Sequence, residues 1–165
     1  MRTLLTATFV ALAMSCSKEP AMTDKAPTSP TTQTTGVQLA ARANGVMLEV
    51  TWTNTTQASL KIATHVFAGE KHFDWLTVNL TDAGGKVRKL QFLDDRDEAG
   101  AVVVDVAPGA SVTESVDLAR WAARAANGGE PLAPGTYRAQ VIYDSHGQTR
   151  GWVGRIEAAT TLTIP

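Results

Sequence analysis

Residues 131–144, PLAPGTYRAQVIYD, constrain the fold more than any other stretch. Pro134-Gly135 is a turn signal: proline presets φ and glycine accepts a positive one. After it, Tyr137, Ala139, Val141 and Tyr143 alternate with Arg138, Gln140, Ile142 and Asp144. A period of two with one apolar face marks a half-buried strand. Such a strand needs a second layer over its apolar face, so the chain must build a sheet on a sheet.

The same period recurs through the chain. Residues 37–43 read as a strand, and Asn44-Gly45 as a two-residue hairpin turn. Val46, Leu48, Val50 and Trp52 then share one face, which makes Trp52 a core residue. Leu60, Ile62, Thr64 and Val66 align in a third strand. Residues 68–73 form a turn carrying Gly69. Residues 74–81 follow as a strand with Leu76, Val78 and Leu80 in phase. Asp82-Ala83-Gly84-Gly85 reverses the chain and 86–93 return it. Residues 101–106 are strand, ended by Pro108-Gly109. Strand resumes over 111–118, where Val112 and Val116 alternate at a longer spacing. One short helix is predicted from Leu118, Trp121, Ala122 and Ala125, with Arg120 and Arg124 pointing away, Asp117 as cap and Asn127-Gly128-Gly129 as stop. Trp152, Gly154 and Ile156 mark a broken strand, and 160–165 close the sheet. Trp75, Trp121 and Trp152 are expected to fill the sandwich and the helix seat; two of them exposed together would form a contact patch. The expectation is an all-β, immunoglobulin-like antiparallel β-sandwich of about seven to nine strands with one short helix.

A leucine, the Pro134-Gly135 turn and Tyr137 at the head of a strand resemble the tyrosine corner of immunoglobulin-like and fibronectin type III sandwiches. That resemblance implies a structural role for Tyr137, its hydroxyl bonding backbone upstream. A second resemblance runs through Asn54-Thr55-Thr56, Leu60-Lys61-Ile62, Phe67-Ala68-Gly69-Glu70-Lys71-His72-Phe73-Asp74, Gly85-Lys86-Val87-Arg88 and the Pro108-Gly109 turn. It is similar to the Bacillus-type intracellular proteinase inhibitor family, though no Trp follows Val87. This implies an immunoglobulin-like fold and, as an alternative function, inhibition of a protease through an exposed loop. The run from Pro108-Gly109 through Val116-Asp117-Leu118 to Gly135-Thr136-Tyr137 also looks like the sandwich domain preceding some secreted zinc metalloproteases, without their catalytic half.

The front of the chain reads as an address. Arg2 precedes an uncharged apolar run over 4–14, too short to span a bilayer. Cys16, the only cysteine of the chain, follows it. Ala13-Met14-Ser15-Cys16 resembles the lipobox of a bacterial lipoprotein, with Ala13 where Leu is usual. This implies a signal peptide over 1–15, lipidation of Cys16 and, with Ser17 next, an outer-membrane destination. Two or three acyl chains give a stable anchor where one does not. Residues 16–35 are then the lipidated cysteine and a Pro- and Thr-rich tether, about 60–65 Å when fully extended and about 25 Å as a coil. Residues 36–165 form one domain, without an internal disulfide.

Charge narrows the functions. The chain carries −1; removing the leader deletes Arg2 and no acid, leaving 14 basic against 16 acidic residues, or −2. No basic excess points to nucleic acid. No G-x-S-x-G elbow or phosphate loop is present, since strand follows Gly84-Gly85-Lys86. His65 and His72 lie seven apart across a turn, which is not metal spacing on one element, although Glu70 or Asp74 would complete an ion site if the turn brought them together. These histidines and His146 read as solvated loop or strand-edge residues. Asp94, Asp95, Asp97 and Glu98 surround Arg96 without the spacing of a calcium loop. The sequence therefore predicts a non-catalytic, lipid-anchored envelope module, without a cofactor or metal, that binds a protein partner, a protease among the candidates. Its candidate interaction loops carry Phe67, Gly69, Glu70, His72 and Asp74, and Asp94, Asp95, Arg96, Asp97 and Glu98. Pro134, Gly135, Tyr137 and Trp52 are assigned to the scaffold. An envelope structural or small-ligand role is the remaining alternative.

Overall fold

The computed structural model describes residues 36–67, 70–92 and 100–165. The segments expected to be a signal peptide and a tether, with Cys16, and Gly69 and the acidic segment with Asp94, Asp95, Arg96, Asp97 and Glu98 lie outside the described residues.

β1 (Val37–Asn44) and β2 (Met47–Asn54) form the first hairpin. Asn44 still pairs with Met47, so the two loop residues are Gly45 and Val46 rather than Asn44 and Gly45. Gly45 has φ 57°, the positive value that the first position of a primed turn demands. β3 (Leu60–Phe67), β4 (Lys71–His72), β5 (Leu76–Thr81), β6 (Val87–Gln91), β7 (Ala101–Val106) and β8 (Ser111–Asp117) follow. α1 (Leu118–Ala122) and a 3₁₀ turn (Ala125–Asn127) precede β9 (Gly135–Asp144) and β10 (Arg155–Ile164).

The strands build three antiparallel sheets with orders β1-β2-β8, β10-β9-β5-β6 and β4-β3-β7. The protein is an all-β antiparallel sandwich. Leu48, Val50 and Trp52 of β2 face Val78 and Leu80 of β5 and Ala139, Val141 and Tyr143 of β9 in one buried cluster. Tyr143 joins all three sheets. Its ring meets Trp52 edge-on at 5.5 Å, and its hydroxyl donates to the Ala63 carbonyl of β3 at 2.8 Å. Burial pushes this phenol up to about 12, the Ser145 hydroxyl offsetting part of the rise.

Among the described residues ten strands form against the expected seven to nine, the extra one being the two-residue β4 within the expected 68–73 turn. β10 starts at Arg155, well before residue 160; its residues 157–160 are all half-buried, which erases the alternation that marks a strand. α1 keeps its Asp117 cap, whose carboxylate accepts from the Arg120 N–H at 3.0 Å. It ends after five residues, leaving Ala125 exposed. Arg124 does not point away: its guanidinium lies 3.8 Å over the Phe92 ring. Trp121 is buried, and Trp75 and Trp152 are half-buried against the core, so these three form no exposed patch.

Two polar devices fasten the irregular segments. Arg88 of β6 donates to the carbonyls of Ala122 (2.8 Å), Asn127 (3.0 Å), Glu130 (2.6 Å) and Pro131 (3.3 Å). Beside it, the buried Asn127 amide accepts from Gln91 N–H and donates to the Gln91 and Trp121 carbonyls. Together they hold the α1-to-β9 segment along the outer edge of β6. Residues 145–154 dock on β3: Trp152 N–H donates to the Lys61 carbonyl at 2.6 Å, and the Trp152 ring stacks on Tyr143 at 6.0 Å.

Tyr137 carries the expected corner, its hydroxyl donating to the Ala133 carbonyl at 2.9 Å. The bond is solvent-exposed, so Tyr137→Phe is expected to lower stability by only about 0.5–1.5 kcal/mol in urea unfolding. A loss above about 3 kcal/mol would mean that the hydroxyl does more than close this corner.

Candidate functional site

The chemistry-bearing residues gather where the β3–β4 hairpin meets β8 and α1. On β8, Val112, Glu114 and Val116 oppose Trp52, Val50 and Leu48 of β2. Opposed residues share a face, so Glu114 projects into the interior from a row otherwise held by valines. Its side chain is only 11% exposed. A carboxylate there needs partners, and the third sheet supplies them: Lys71 Nζ at 2.6 Å and His65 Nδ1 at 3.3 Å.

A β-bulge brings His65 to this position. The β3–β7 register shifts between Ala63 and His65, so Thr64 is the extra residue. Ala63, Thr64 and His65 are consequently all buried. The Thr64 hydroxyl lies 3.0 Å from His65 Nδ1. His65 and His72, 7% and 3% exposed, are thus interior residues and not the solvated loop or strand-edge residues expected from the sequence. His72 stands edge-on to Phe92 at 4.3 Å, and its Nε2 is 3.7 Å from Glu70. Glu70 pairs with Arg120 of α1, and Arg124 Nη1 lies 3.7 Å away. Phe73, Trp121 and Phe92 form a continuous set of ring contacts between the two histidines.

Burial lowers the His65 pKa from its usual 6.5; Glu114 pulls it upward and Lys71 downward, and the balance stays below. The hairpin therefore has two sides. Glu70, His72 and Phe73 are engaged inward, whereas Phe67 is 57% exposed at the end of β3 and Lys71 and Asp74 reach the surface. Of the sequence-derived interaction residues, the structure brings together Glu70 and His72 and presents Phe67 and Asp74.

The structure adds Glu114, Arg120, Arg124 and Lys71 to this site. Glu114 left a trace in the sequence, because the gap in the Val112-x-x-x-Val116 alternation is its position. The bulge at Thr64 left none.

Asp144, Ser145 and His146 bring the residue types of a hydrolytic triad within three positions, but not its geometry. The buried Ser145 hydroxyl donates to the carbonyls of Trp152 and Gly154. His146 instead pairs with Asp144 at 2.7 Å on the surface. Partial burial pulls the Asp144 carboxyl upward, yet the His146 hydrogen bonds and the Arg155 charge hold it below the ordinary carboxylate range. Among the described residues no three His, Cys, Asp or Glu side chains group as a metal site, and no helix is long and apolar enough to cross a membrane. No protein-family model and no curated protein matches the chain.

Proposed function

We propose that the chain is a lipid-anchored extracytoplasmic module, catalysing nothing, that binds a protein partner of the bacterial envelope through the outer side of the β3–β4 hairpin. The carrying observation is the contrast within that hairpin. Phe67 stands 57% exposed opposite Lys71 in the β3–β4 ladder, while Glu70, His72 and Phe73 are tied inward. An exposed aromatic side chain is a common anchor of a protein contact, because it buries a large apolar area while freezing few rotamers. The anchor at Cys16 rests on the lipobox resemblance. Acylation there would keep the module at a membrane surface.

The full chain and its Phe67→Asp variant, each used to retain proteins from envelope extracts of the host, test the hairpin. A protein retained by the wild type should be lost from the variant while thermal unfolding stays unchanged. Equal retention by both would exclude this surface. A parallel Cys16→Ser chain should leave the membrane fraction, and membrane retention of that variant would exclude the anchor.

Proteinase inhibition is the second reading, supported by the resemblance over residues 67–74 and by the exposed Phe67 and Lys71. It requires the retained partner to be a protease whose turnover falls on binding.

A further inference from the structure

Beyond the bulge at Thr64, few rungs hold the hairpin: Val66↔His72 and Phe67↔Lys71 to β4, and His65↔Val102 and Val66↔Ala101 to β7. The inner tie of this segment is polar. His65 faces Thr64 of its own strand, Glu114 from β8, the Lys71 ammonium from β4 and the ring of Phe73. Glu114 already holds Lys71 at 2.6 Å. The other nearby carboxylate, Glu70, is occupied by Arg120 and Arg124 beside His72. At His65 itself, Glu114 is therefore already paired with one permanent cation, Lys71, before the imidazole gains a proton.

We propose that His65, Glu114 and Lys71 form an acid-sensitive latch, which frees the β3–β4 hairpin from the sandwich when His65 takes up a proton. With His65 neutral, Nδ1 either donates to Glu114 or accepts from the Thr64 hydroxyl, and both arrangements leave Glu114 neutralised by Lys71. With His65 protonated, one buried carboxylate must serve two cations against an aromatic wall, where an uncompensated charge is costly. Lifting the segment beyond the bulge returns the imidazolium to water; it breaks the two β7 rungs, the Lys71–Glu114 and Glu70–Arg120 pairs and the His72–Phe92 contact, while the two β4 rungs travel with the hairpin. Short, weakly paired segments are where local opening concentrates.

The sign follows from linkage. A site that keeps His65 neutral makes the folded chain bind this proton less readily than the unfolded chain does. The latch's contribution is complete above about pH 6.5 and falls as pH drops through the lowered value. The latch is independent of what the module binds, since it concerns only whether the hairpin is seated.

Hydrogen exchange on the full chain at about pH 7.5 and about pH 5, corrected for intrinsic rates, tests it. Amides of residues 65–67 and 71–72 should open about tenfold more often at the lower pH for each unit by which the two states' pKa values differ. Amides of β5 and β9 should not respond. His65→Gln keeps a hydrogen-bonding side chain without the charge and should abolish the response. Equal protection of the hairpin at both pH values, or a response that survives in His65→Gln, overturns the latch. Should that variant fail to fold, the wild-type imidazole titration by NMR decides. A His65 midpoint below 6.5 that coincides with hairpin opening supports the latch, and a midpoint at or above 6.5 overturns it.

Discussion

Gly151→Ala is expected to cost the domain about 3 kcal/mol, because two independent penalties meet at one atom. Gly151 has φ 95°, a conformation that L side chains rarely adopt. A Cβ there would also sit 2.7 Å from the Lys61 carbonyl oxygen. That oxygen cannot retreat freely: it belongs to β3 and accepts the Trp152 N–H. The variant must either strain β3 or lift residues 145–154, which withdraws Trp152 from its stack on Tyr143. Urea unfolding followed by tryptophan fluorescence reads both effects. Gly147→Ala is the control, since nothing lies within 4 Å of its Cβ position, and a change within about 0.5 kcal/mol is expected. A Gly151→Ala protein equal in stability to that control would show that this loop is not a fixed part of the fold.

Arg88→Met is expected to cost about 2–3 kcal/mol and to lower the midpoint of thermal unfolding by about 5–10 °C. One guanidinium serves four carbonyls of the segment between α1 and β9. Hydrogen bonds from a charged donor exceed neutral ones, but Arg88 is half-buried, and water replaces part of what is lost. The total is therefore well below four separate bonds. Arg88→Lys should recover less than half, since a single ammonium cannot span the fork of acceptors. Full recovery by Lys would show that the charge, not the planar geometry, holds the segment.

The contrast between strands explains what the sequence could convey. Leu76, Val78 and Leu80 lie in one buried row because β5 is covered on one face only, so alternation reported their environment directly. β3 is covered on both sides and carries a bulge; alternation therefore assigned Ala63 and His65 to an outer face that does not exist there. β10 failed in the other direction. Its Ala158, Ala159 and Thr160 are small and half-buried on both faces, while Trp152 and Gly154 mimicked a strand although they belong to a docked loop. Arg124 read as a charge pointing away, and Arg88 drew no role at all, because nothing local reveals that the Phe92 ring and distant carbonyls await them. The site was legible as the 67–74 stretch. Its inner half, above all Glu114, depended on strand pairing across the whole chain.

Asn127 has a consequence for how neighbouring copies of this protein meet. Among the described residues β6 terminates its sheet, and an open terminal strand invites another chain to add itself by backbone pairing, the first step of aggregation. At Gln91 the Asn127 carboxamide takes both the N–H and the carbonyl that an incoming strand would need. Two residues back on the same strand, Lys89 offers an exposed charge instead of an apolar contact. A side chain thus plays the part of a last, one-residue strand, and a second molecule meets an edge already filled at Gln91 and charged at Lys89.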